Sequence, residues 1–248
     1  MSVVYILWLR QMKRYFRSRP RIIASLGQPL LFLLAFGFGF GPIFQSAGQG
    51  NYIQFLAPGV IAMTVLFTAI FSGIELIWDR QFGFLKETLV APVPRMLIMI
   101  GRTLGGATVA MFQGSIVVAI CFLVGFRLTH YAALPAAVLF MALIAVMFTA
   151  LGTAIASVLS DFQGFQLIMN FLVMPIFFLS GALFPLTNVP KAIAVVASLN
   201  PLSYGVDGLR SSLIGIGHFG AACDVLVLSI ITVGLFAAGS FLFSKIQL

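Results

Sequence analysis

Six long apolar runs alternate along the chain with short polar or charged intervals, at roughly 22–43, 55–77, 104–125, 133–158, 164–184 and 222–243. An uncharged apolar run of about 18 residues or more crosses the roughly 30 Å hydrocarbon core of a bilayer as a helix, because only a helix satisfies its own backbone there. The pattern predicts an all-α integral membrane protein with six transmembrane helices. The interval before the first run, "YILWLRQMKRYFRSRPR", has a helical period: Tyr5, Trp8, Leu9, Met12, Tyr15 and Phe16 share one arc, and Arg10, Lys13, Arg14, Arg17 and Arg21 the opposite one. This predicts an amphipathic interfacial helix within residues 1–21. Trp8 and its aromatic neighbours would lie among headgroups, with Arg10, Lys13, Arg14 and Arg17 facing the cytoplasm and anionic lipid. The first apolar run is expected to be retained rather than cleaved, since this long basic helix precedes it and no short cleavage site follows a short apolar core.

Three other intervals carry signals. "GPIFQSAGQGN" is polar, glycine-rich and uncharged, which suits a short external loop. Residues 78–95 hold the densest run of charge and proline in the chain. Residues 186–220 are too polar to span a membrane and too apolar for a solvated loop; Pro190 opens a short helix and Asn200-Pro201 breaks it before a second. Two short helices folding back into the outer leaflet are expected there. No linker, low-complexity tail or strong internal repeat divides the chain, so residues 1–248 read as one domain.

The composition, 61% hydrophobic and 8% charged with mean hydropathy +1.12, excludes an ordinary soluble domain. The net charge of +8 reads as topology. Arg10, Lys13, Arg14, Arg17, Arg19 and Arg21, then Arg80, Lys86, Arg95 and Arg102, then Lys245, fall on one side of the six spans, and only Arg127, Lys191 and Arg210 on the other. Short loops rich in bases stay cytoplasmic, so both termini are expected inside a plasma (inner) membrane. The charge then attracts membrane lipids and implies no nucleic acid.

Enzyme signatures are missing. No G-x-x-x-x-G-K-[ST] occurs and none of the four lysines follows a glycine, so any ATP chemistry belongs to a partner. There is no H-E-x-x-H and no G-x-S-x-G; His130 and His218 are isolated, so no catalytic or metal site is expected. Cys121 and Cys223 read as apolar filler. Glu75 and Asp79, spaced i, i+4, leave two readings open. They are either a proton site of a secondary transporter, or interfacial acids paired with Arg80 or another loop base beside the aromatic Trp78.

Six spans, an interfacial helix, a charged loop after the second span and a re-entrant region before the sixth together resemble the permease subunit of an ABC type-2 exporter. The phrases "FFLSGALFPLTNVP", "PLSYGVDGLR" and "GFLKETLVAPVPR" carry the likeness. It is nearest to the daunorubicin-resistance and nodulation lipo-oligosaccharide permeases, and Pro201, Tyr204, Asp207 and Arg210 stand in the re-entrant motif. The resemblance implies a transport subunit that exports an amphipathic drug, lipid or lipid-linked glycan and pairs with a second permease copy, as a homodimer or a close heterodimer. It binds no cofactor, because a cytosolic ATPase uses the ATP and Mg.

That ATPase would dock on a cytoplasmic coupling helix through Phe82, Phe84, Leu85, Lys86, Glu87 and Leu89. Phe82, Leu85 and Leu89 fit an i, i+3, i+7 ridge that Pro92 and Pro94 terminate. The family likeness also brings the two copies together through spans 1 and 5. Phe36, Phe38, Phe177 and Phe178, with Gln166 and Asn170 turned toward the bundle interior, would line the substrate path. Gly37 and Gly41 permit close helix approach there. Asp207 and Arg210, at i, i+3, are expected to pair.

Overall fold

A computed structural model describes residues 2–46, 50–90, 92–129, 131–159, 161–186 and 189–244, except the side chains of Arg21 and Leu89. His130 and Lys245 lie outside the described residues. The elements are α1 (Val3–Arg17), α2 (Arg19–Gly39), α3 (Gly41–Ser46), α4 (Tyr52–Phe71), α5 (Ile74–Gln81), α6 (Phe84–Val90), α7 (Arg95–Leu123) and a 3₁₀ turn (Tyr131–Ala133). There follow α8 (Leu134–Val158), α9 (Phe162–Phe178), α10 (Lys191–Leu199), α11 (Pro201–Ile214) and α12 (Ala221–Ser244).

Five segments are long and apolar enough to cross a membrane: Ile22–Gly39, Tyr52–Gln81, Arg95–Leu123, Tyr131–Val158 and Ala221–Ser244. The sixth expected crossing is α9, a largely apolar helix whose 17 residues rise about 25 Å, the short limit for a span. Between α9 and α12, α10 and α11 form a pair bent by 88°, as the re-entrant reading requires. The break has a local cause: the Asn200 side chain caps α11 by accepting from Leu202 N–H at 3.0 Å, and Pro201 occupies the first helical position.

The bundle is built on α4 and α8. Both are buried along most of their length, and α8 packs against α12, α4, α7, α11 and α5. Lipid is as apolar as leucine, so close backbone approach replaces hydrophobic exclusion as the source of helix adhesion. The break between α4 and α5 shows it. A Cβ on Gly73 would overlap the Gly152 carbonyl, and one on Gly152 would overlap the Ile70 carbonyl.

The two ends differ. One, the basic end, gathers α1, α5, α6 and the start of α7; the other gathers α10, the C-terminal half of α11 and the first turn of α12. α2 and α9 lie at the margin of the bundle, with Leu31, Leu34 and Phe38 of α2 and Leu167, Phe171 and Phe178 of α9 exposed.

Candidate functional site

At the basic end, α1 packs on protein along one side, while Tyr5 and Phe16 of its apolar arc stay exposed. Met12 and Tyr15 are buried against α7. Trp8 Nε1 donates to Thr108 Oγ1 at 3.0 Å, and the Tyr15 hydroxyl meets Gln113 Oε1. On the other arc, Arg10 donates to Asp79 Oδ1 at 2.9 Å, while Arg14 lies 3.7 Å from Asp79 and 4.0 Å from Glu75. Arg102, buried in α7, donates to Asp79 Oδ2 at 2.5 Å. Asp79 therefore ties α1, α5 and α7 together. Of the two readings of this acid pair, the geometry favours ion-paired acids, with bases from α1 and α7 and not with Arg80. Arg80 instead donates to the Ser157 and Leu159 carbonyls at 2.8 and 2.9 Å, closing the C-terminal end of α8. Lys13 and Arg17 remain exposed.

Directly after this tie comes the expected coupling segment. Helix α6 begins only at Phe84, because Gly83 takes φ +80° and breaks the helix behind Phe82. The i, i+3, i+7 ridge from Phe82 assumed an unbroken helix and does not exist. Leu85 is 1% exposed and belongs to the chain's own core, whereas Phe82 is 73% and Phe84 50% exposed. Lys86 and Glu87 are also exposed. The Arg10 guanidinium lies 5.6 Å above the Phe84 ring, and that of Arg14 5.3 Å above Trp78, which stacks on Phe162. The outcome is a short aromatic ledge held from behind by ion pairs. The Leu89 side chain lies outside those described.

The expected substrate-path residues divide. Phe177 is buried, with its ring 5.9 Å from Phe32 and 6.4 Å from Phe67, so it packs within the chain and lines no open surface. Phe36 is half-buried and stacks on Phe40, while Phe38 and Phe178 are exposed. Gln166 and Asn170 face away from this chain's core, on the exposed stripe of α9 that also carries Leu167 and Phe171. Helical phase decides this, because Phe165, Met169 and Val173 fill the inward stripe. Sequence reasoning missed a cleft of about 220 Å³ between α1, α2 and α4, lined by Tyr15, Ser25, Gln28, Thr64, Phe67 and Thr68. Its signal was available: Thr64 and Thr68 stand i, i+4 in an apolar run, facing Gln28.

At the opposite end, Asp207 and Arg210 do not pair as expected. Asp207 accepts from the backbone N–H groups of His218 and Phe219 at 2.8 Å. Arg210 donates to the Gly181 carbonyl at 2.9 Å and lies 3.9 Å over the Phe55 ring. Gly215, at φ +76°, ends α11 and folds the chain back so that those amides reach Asp207. Tyr204 donates to the Ser198 carbonyl at 2.8 Å, closing the bend between α10 and α11. No group of three or more potential metal-ligating side chains occurs among the described residues.

The sequence pattern of the ABC-2 type transporter family matches residues 2–214. The chain is 28% identical over 234 residues to nodulation protein J of Rhizobium leguminosarum bv. trifolii, covering 90% of this chain and 86% of that one. It is 28% identical over 213 residues to the inner membrane transport permease YadH of Escherichia coli K12, covering 85% and 82%. With the putative transport permease ycf38 of Cyanophora paradoxa the identity is 30% over 198 residues, covering 78% and 68%. A match across most of the chain thus joins the helical membrane fold, the charged turn after α5 and the bent pair before α12: the protein belongs to the ABC-2 type transporter family.

Proposed function

We propose that the chain is the permease subunit of an ATP-driven exporter, working as one of two copies in a plasma (inner) membrane with both termini cytoplasmic. A separate cytosolic ATPase binds the ATP and Mg and docks at the basic end. The observation that carries this reading is the ledge of Phe82 and Phe84. Two exposed aromatic rings on a charged turn form a patch suited to a protein partner, and the Asp79 ion pairs behind it give the partner something stiff to push against. The exposed stripes of α2 and α9 supply the face for the second copy, with Gln166, Asn170, Phe38 and Phe178 on or beside the path between copies. The cleft of Ser25, Gln28, Thr64 and Thr68 among aromatic rings supports an amphipathic cargo, since it offers hydrogen bonds at membrane depth beside apolar surface.

Purification of the tagged chain from its own host tests the reading. The wild type is expected to retain a P-loop ATPase. Replacing Phe82 and Phe84 together by alanine is expected to lower that retention at least about tenfold, since lost aromatic anchors cost about 2 kcal/mol or more. Retention equal to wild type would remove the docking role.

A further inference from the structure

At the basic end, a cavity of about 320 Å³ opens between α1 and the turn that joins α5 to α6. Arg10, Lys13, Arg14 and Arg17 form one wall, because positions i, i+3, i+4 and i+7 share one face of a helix. The opposite wall is aromatic. Among the described residues lining the cavity, Asp79 is the one acid, and its oxygens are taken: Arg102 holds one at 2.5 Å and Arg10 the other at 2.9 Å.

The four cations divide into two pairs. Arg10 and Arg14 are fixed, each beside Asp79 and each over a ring, Phe84 at 5.6 Å and Trp78 at 5.3 Å. Lys13 and Arg17 are exposed and form no ion pair with any described residue. The cavity therefore keeps a surplus of positive charge. A phosphate suits it, since phosphate oxygens accept from several charged N–H donors at once.

The rest of α1 indicates what carries that phosphate. At about 100° per residue, Lys13 stands about 60° from Phe16 on one side and about 60° from Arg10 on the other. Phe16 and Tyr5, which share an arc, are both exposed. An exposed apolar arc that passes through a lysine into a cationic cavity fits a helix at headgroup level, with acyl chains on the apolar arc and phosphate beside the bases. A free anion uses the bases alone and leaves Tyr5 and Phe16 bare. We propose that this cavity binds the phosphate of an anionic phospholipid whose chains run along the arc of Tyr5 and Phe16. A lipid there wedges α1 against the turn that bears Phe82 and Phe84, so the charge of the leaflet adjusts how firmly that turn is held. The site needs no ATPase, and its test is separate from that of the docking role.

Lipid binding by the full chain, purified alone in neutral detergent and followed by native mass spectrometry, tests the site. The wild type is expected to bind phosphatidylglycerol at least about tenfold more tightly than phosphatidylcholine, and inorganic phosphate at equal concentration should not displace it. Lys13→Gln combined with Arg17→Gln is expected to weaken phosphatidylglycerol about tenfold or more, whereas Lys191→Gln at the opposite end should leave it unchanged. Both replaced side chains are exposed and unpaired, so the double variant is expected to fold; should it not, the two single variants, each expected to lose about fivefold, take its place. Equal binding of the two lipids, or a preference that survives the substitutions, would overturn the proposal. Displacement by inorganic phosphate would reduce the cavity to a free-anion site. A double variant that keeps the lipid preference but no longer retains an ATPase would assign the bases to the protein partner and equally overturn it.

Discussion

Single residues decide how the two ends of this bundle work; helical spacing left the partner open at the basic end and gave the wrong one at the other. Glu75 and Asp79 were legible as acids needing bases, because charges at membrane depth must be compensated. Arg10, Arg14 and Arg102 come from helices whose placement depends on tertiary packing, so their approach to Asp79 was not legible. The same holds for Asp207 and Arg210, where a one-turn spacing suggested a pair. The fold-back after Gly215 supplies two amides to one, and the Gly181 turn a carbonyl to the other. Asp79→Asn tests the residue-scale account. It strands the buried Arg102, so it is expected to cost about 3–5 kcal/mol, with Asp79→Glu recovering part of the loss. Thermal unfolding in nanodiscs reads both; a neutral Asp79→Asn would mean that the tie contributes nothing.

Among the elements, the spans were legible because lipid allows so few solutions for a backbone that must pair with itself. The amphipathic period of α1 was legible too, but not what its faces touch: a stripe of Trp8, Met12 and Tyr15 suits headgroups and the side of α7 equally well. Phe82 to Leu89 misled for a local reason, since one glycine in the left-handed region ended the helical phase on which the ridge depended. Glycines also hold the close crossing of α8 with the break between α4 and α5. Gly152→Ala and Gly73→Ala each push a methyl group into a backbone carbonyl of the neighbouring helix, for an expected loss of about 1–3 kcal/mol. Gly27→Ala, which meets nothing within 4 Å, should stay within about 0.5 kcal/mol of wild type. Parallel unfolding curves of the three variants would separate a crossing held by close approach from one held by bulk hydrophobicity.

At the scale of the whole molecule, the proposed second copy and ATPase would occupy two surfaces: the exposed stripes of α2 and α9, and the aromatic ledge after α5. Cysteines at Leu167 or Phe171 are expected to cross-link two copies in native membranes, whereas one at Ile230, exposed on α12, should not. The substrate stayed illegible because the chemistry of a cleft lined by Gln28, Thr64 and Thr68 would, on the proposed reading, suit a class of amphiphile and not one molecule. What drives the permease is more sharply posed, and cross-linking from the ledge addresses it directly. Single cysteines at Phe82, Phe84 and Leu85 would be treated in native membranes with a short bifunctional reagent and the products identified. The account predicts that positions 82 and 84 capture a P-loop ATPase and that the buried position 85 does not; capture from 85 alone, or from none of the three, would contradict it.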